Sequence, residues 1–82
     1  MSLFNEHAAE KHPAYNDALR QAIKLAAAGT EASVYYDGKG VMVRSAYAPK
    51  PDGAAVVCIA QRWDEKTIQL RFSGARSEWV HA

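Results

Sequence analysis

A short run near the carboxyl end constrains the fold more than any other part of the chain. From Lys66 to Phe72, the residues Ile68, Leu70 and Phe72 alternate with Thr67, Gln69 and Arg71, the period-2 pattern of a strand with one face buried and one wet. The run before it, Ala54 to Trp63, is rich in small and β-branched apolar residues, and Asp64 and Glu65 between the two suit a tight turn. Together they read as an antiparallel hairpin. A two-residue turn sets Trp63 opposite Lys66, Gln61 beside Ile68, Ile59 beside Leu70 and Val57 beside Phe72, because directly opposed residues share a face. A four-residue loop gives the same parity.

Upstream, the residues up to His12 suit a short helical arm, with Ser2 as its cap and Leu3, Phe4, His7 and Ala8 near one side. Pro13 disfavours helical geometry at His12 but fits the first turn of a new helix, so the arm breaks there. Tyr15, Ala18, Leu19, Ala22 and Ala26 then share one helical face, flanked by Ile23 and Leu25, with Asp17, Arg20, Gln21 and Lys24 opposite. Gly29 stands where a left-handed C-terminal cap would end this helix near Ala28. Its alanine-rich face predicts close approach to a sheet.

A first strand follows from Ala32 to Tyr36, the turn cluster Asp37 to Gly40 closes a hairpin, and a second strand runs from about Val41 to Tyr47. Val34 then pairs with Val43 and Tyr36 with Val41 on the core side. Pro49, Pro51, Asp52 and Gly53 make the next connection a loop and the expected site of mobility. After a turn at Ser73 and Gly74, Trp79 and Val80 in the tail are expected to dock on the core. The fold class is therefore α+β: one main helix packed on a four-stranded antiparallel meander, in the order α-β-β-β-β, with a possible short N-terminal helical arm.

The chain has 82 residues, room for a single domain (1–82) with a modest core. Ten basic and nine acidic side chains leave a formal charge of +1, too little for a global field that draws in nucleic acid or an anionic membrane. A lone cysteine, Cys58, excludes an intramolecular disulfide and suits a reducing compartment. Neither a leader pattern nor a long apolar run is present, so the expected location is cytoplasmic, with no membrane contact.

The residue types that carry catalysis are present without the required spacing. His7 and His12 are five residues apart on either side of a helix break, and His81 sits near the end, so no metal site is expected. Cys58 lacks a sequence partner that would activate it and reads as a packing residue. Asp37, Asp52, Asp64, Glu65 and Glu78 are scattered over turns and the tail, and Gly38 and Gly40 do not open a helix. The chain is expected to be no enzyme and to need no cofactor.

What remains is the sheet face away from the helix. The register above assigns to it Ser33, Tyr35, Met42, Arg44, Ala46, Val56, Cys58, Ala60, Arg62, Thr67, Gln69 and Arg71, with three arginines and no carboxylate. Arginine, methionine and aromatic side chains are enriched at interfaces, and the expected partner-binding set is Tyr35, Met42, Arg44, Arg62, Gln69 and Arg71. An ordinary solvated face is the plainest alternative. A homodimer is another, although facing sheets would oppose arginines across a twofold axis, an objection that does not touch edge-to-edge pairing. Arginines instead suit a partner bearing acidic or phosphate groups, held by forked hydrogen bonds.

The expectation is a small protein-binding module, an accessory or inhibitor protein acting on a partner with an acidic or phosphate-binding surface. Small phage proteins that block a host defence assembly, such as anti-CRISPR proteins, match it in size and class but not in motif. The alternative is a single-stranded nucleic-acid-binding protein using the same face, with Tyr35 as its stacking ring.

Overall fold

A computed structural model describes residues 6–74 and 76–81. Of the N-terminal arm, α1 spans Glu6–Glu10, while Ser2, Leu3, Phe4 and the side chain of His7 lie outside what is described. Just before Pro13, His12 braces the chain at the helix start: its Nδ1 accepts from the N–H of Ala14, the N-cap residue, at 3.0 Å, and its Nε2 lies 3.0 Å from the Lys39 carbonyl. The first contact leaves Nε2 to carry the proton that it donates to Lys39. The ring thus ties the start of α2, Tyr15–Ala27, to the first hairpin turn.

At the other end of α2, Gly29 adopts φ 97°. Its N–H donates to the Ala26 carbonyl and that of Thr30 to the Leu25 carbonyl, both at 2.9 Å, the paired bonds of a Schellman cap. Tyr15, Ala18, Ala22 and Ala26 are buried as the helical spacing requires.

Among the described residues, five strands form one antiparallel sheet: β1 Ala32–Tyr36, β2 Val41–Ser45, β3 Ala55–Asp64, β4 Thr67–Phe72 and β5 Ser77–His81. The α+β architecture with one main helix on the sheet is as expected, but its order is β2-β1-β3-β4-β5. The tail supplies a fifth strand, and β3 pairs with β1 instead of β2. β1 is the more apolar of the first two, with Ala32, Ser33 and Val34 all buried, and it takes the interior position. The Pro-containing connection between β2 and β3 is long enough to carry the chain past it. The pairs Val34↔Val43 and Tyr36↔Val41 form as expected.

The register of the second hairpin differs by one residue. Asp64 pairs with Thr67, Arg62 with Ile68, Ala60 with Leu70 and Cys58 with Phe72, with Trp63 bulged out between Arg62 and Asp64. The turn residues are Glu65 and Lys66, because the Asp64 Oδ1 accepts from the Lys66 N–H at 2.9 Å and closes the turn one residue later than expected. A one-residue slip exchanges the two faces of a strand. Cys58 and Ala60, expected on the outer face, are therefore buried under α2 at 1% and 0% exposure. Val57 is buried too, since a second bulge leaves it without a partner on β1 and turns it inward beside Cys58.

The core between helix and sheet is thin. Ala18, Ala22 and Ala26 from α2 share it with Ala32, Cys58 and Ala60 from the sheet, so the backbones approach closely. Val34, Val57 and Ile68 supply its bulk, each contributing roughly 1.5–3 kcal/mol by leaving water. The helix packs chiefly over β1, β2 and β3 and less over β4. Beyond it, Arg76 connects α1 to β5, pairing with Glu10 at 3.2 Å and Glu78 at 3.3 Å while its guanidinium lies 4.3 Å from the Phe72 ring centroid.

Candidate functional site

The sheet face away from α2 follows from the observed registers. Tyr35 lies beside Met42, and Ser33 beside Arg44 and Ile59. Ile59 in turn lies beside Arg71, which neighbours Ser77, and Gln61 lies beside Gln69, which neighbours Trp79. Of the expected partner-binding residues, Tyr35, Met42, Arg44, Gln69 and Arg71 share this face. Arg62 does not: it falls on the inner row opposite Ile68, at the end of the sheet, where its Nε donates to the Asp64 carbonyl at 3.3 Å. Its exposed guanidinium belongs to the rim. Ala46 lies beyond β2, its N–H donating to the Glu31 carbonyl at 2.8 Å.

The register expected from the sequence puts Val56, Cys58 and Ala60 in an uncovered apolar row on this face; the observed register does not, because the helix covers Cys58 and Ala60. Ile59 and Gln61 take their places, and a carboxylate joins the face: Gln61 Nε2 donates to Glu31 Oε1. Arg71 Nη1 stands 3.5 Å from Gln61 Oε1. Glu31 just before β1, Gln61 on β3 and Arg71 on β4 therefore form a polar row in which one neutral amide stands between two opposite charges.

Beside this row stand the residues that the strand pattern did not reveal. Trp63 is 66% exposed and Trp79 53% exposed, yet their rings meet edge to face with centroids 5.1 Å apart and planes at 82°. Trp63 reaches the pair from its bulge and Trp79 from β5, with Gln69 on the strand between them. The tail was expected to dock both Trp79 and Val80 on the core; only Val80 packs there. The signal was present as Ser-Glu-Trp-Val-His, a period-2 run that faces Trp79 away from Val80, but five residues are too few to establish phase. A shallow hollow of about 380 Å³ beside the pair is lined by Glu31, Tyr47, Gln61, Arg62, Trp63 and Gln69, with Gly29 at its edge.

The carboxylates at the hairpin turns serve the backbone. Asp37 Oδ1 accepts from the N–H groups of Gly40 at 2.7 Å and Lys39 at 2.8 Å, which hold its carboxyl below the usual aspartate range. Asp64 is lowered likewise, chiefly by the Lys66 N–H. Among the described residues no three His, Cys, Asp or Glu side chains gather as metal ligands, and no helix is long and apolar enough to cross a membrane. Compared with protein-family models, curated proteins and solved structures, the chain matches none.

Proposed function

We propose that this chain is a non-enzymatic, cytoplasmic protein-binding module that occupies a partner surface with its outer sheet face. The observation that carries this reading is the exposed Trp63–Trp79 pair, set beside Gln61 and Gln69 and flanked by Arg71. Tryptophan and arginine dominate binding hot spots, and Met42 and Tyr35 extend the same face with residue types enriched in interface centres. Arg44 and Arg71 suit carboxylates on the partner, because a guanidinium holds them through two parallel N–H bonds. An accessory or inhibitory role, such as that of a phage protein blocking a host defence assembly, needs only a rigid surface of this kind.

Single-stranded nucleic acid is a second reading, supported by the same tryptophans. They give the face stacking rings besides Tyr35, and the Gln69 amide between them suits a base edge. The formal charge of +1 weighs against it, since affinity for nucleic acid rests heavily on phosphate neutralisation.

The test is a pull-down with the intact chain and with the Arg44→Glu, Arg71→Glu double variant, each with and without nuclease. A defined protein retained after nuclease and lost with the folded variant supports the first reading. Recovery of nucleic acid that salt weakens would replace it with the second. Binding that survives both charge reversals would remove the arginine face from either account.

A further inference from the structure

Among the described residues, no strand pairs with the outer edge of β5, which lies beside the tryptophan pair. The Phe72 N–H donates to the Arg76 carbonyl at 2.8 Å, and Leu70 and Ile68 pair with Glu78 and Val80. Antiparallel ladders alternate, so Arg76, Glu78 and Val80 turn their backbone groups towards β4, while Ser77, Trp79 and His81 turn theirs to the free edge. Edge strands are usually blunted by proline, lysine or a bulge. The run Ser77–His81 contains no proline or lysine, and its ladder to β4 is unbroken. Its one acid, Glu78, is already paired with Arg76.

We infer that β5 pairs with β5 of a second copy of this chain, antiparallel and centred on Trp79. In this register Trp79 meets Trp79 of the second copy, and Ser77 meets His81 in both directions, so all three outward-facing residues of each strand find backbone partners. Glu78 then lies opposite Val80. A shift that sets Ser77 against Trp79 would put the two Glu78 carboxylates directly opposite each other, which cross-strand pairing disfavours. Directly opposed residues share a face, so Trp63 and Trp79 of one copy continue into Trp79 and Trp63 of the other. Four rings line the seam.

The twofold axis of such a pair stands perpendicular to the sheet. Both outer faces therefore point the same way, and the sheet doubles to a continuous platform with Arg44 and Arg71 repeated on either side of the seam. Two linked copies of a modest binding face gain affinity for a repetitive or two-site partner without new contacts. The arginine repulsion expected of facing sheets does not arise, because neither arginine lies on β5: Arg71 is on β4, and Arg44 is on β2 at the far edge of the sheet.

The decisive measurement is solution mass by light scattering over a dilution series, with amide hydrogen exchange at the same concentrations. The intact chain should move from twice 9.0 kDa towards 9.0 kDa on dilution. The Ser77, Trp79 and His81 amides should exchange more slowly by an order of magnitude or more at the concentrated end, while Val41, Val43 and Ser45 on the opposite edge stay unchanged. Trp79→Lys, which places a charge at the seam, should remain at 9.0 kDa. A single-chain mass throughout, or exchange at the three β5 amides independent of concentration, overturns the proposal, as does a dimer protected at β2. If Trp79→Lys fails to fold, exchange in the intact chain decides alone. Partner capture is tested with Arg44 and Arg71, neither of them in the seam, so either result can fail without the other.

Discussion

Trp63 and Trp79 lie on strands separated by β4, yet their rings touch edge to face at 5.1 Å. The bulge at Trp63 makes this possible by breaking the ladder between Arg62 and Asp64 and freeing one side chain to lean across Gln69. Edge-to-face pairs contribute beyond the area they bury. A double-mutant cycle with Trp63→Ala and Trp79→Ala, read by urea unfolding of the dilute protein, should give a coupling of about 0.5–1.5 kcal/mol. Strict additivity would mean that the two rings do not support each other.

The alanine face of α2 should tolerate no enlargement. Ala22 has 0% exposure and meets a sheet surface that is itself built from small residues. Ala22→Leu should therefore cost about 1–3 kcal/mol, the range for overpacking a filled core. On the opposite side of the helix, Arg20 and Asp17 pair with side chains 66% and 81% exposed, and Arg20→Ala should change stability by no more than about 0.5 kcal/mol. Equal effects at the two positions would show that the core is loosely packed.

Gly29 is a cleaner case of backbone control. A Cβ there meets nothing within 4 Å, but the residue holds φ 97°. The cost of Gly29→Ala is then conformational alone, about 1 kcal/mol, and Gly29→Asn should recover part of it. Calorimetry of the two variants distinguishes this account from a steric one, in which the larger asparagine would be the worse substitution.

Acid should destabilise the fold through its turns. The folded chain holds Asp37 and Asp64 below their ordinary value of 3.8, chiefly through N–H donors of Gly40 and Lys66. The unfolded chain therefore takes up protons first as pH falls. This contribution is fully present above the ordinary aspartate value, and it is lost as pH drops through the lower folded values. Thermal midpoints measured from neutral pH downwards should hold until that window and then fall. Asp37→Asn combined with Asp64→Asn, which removes both titrations, should make the acid limb shallower; an unchanged limb would place the acid sensitivity elsewhere.

Cys58 should behave as a core residue. At 1% exposure, its thiol can meet iodoacetamide only when the structure opens, so labelling at neutral pH should be far slower than for the unfolded chain and accelerate with urea. A native rate matching that of the unfolded chain would contradict its place under α2.

Much of the architecture was legible because certain segments state their own periodicity. Tyr15, Ala18, Ala22 and Ala26 recur at helical spacing, β4 alternates without exception, and Asp37 to Gly40 and Gly29 carry the backbone chemistry of a turn and a cap. Each of these is local, decided by residues within a few positions of one another. β3 is different. From Ala54 to Ala60 it is apolar throughout, so it has no phase of its own, and its faces could be assigned only by carrying the phase of β4 around the turn. A turn placed one residue early exchanges those faces. A sharper clue lay in size: Cys58 and Ala60 are small, as a strand beneath the alanines of α2 must be.

The helix, its cap, the first hairpin and the alternating strand are written in the local sequence, because propensity and period act over short distances. The interior place of β1, the bulges at Val57 and Trp63, and the meeting of Trp63 and Trp79 on the open face arise from long-range packing. These outcomes depend on which residues pack against a distant surface, and the two bulges alter strand parity, one at Val57 inside an apolar run that has no phase and one at Trp63 beside the turn.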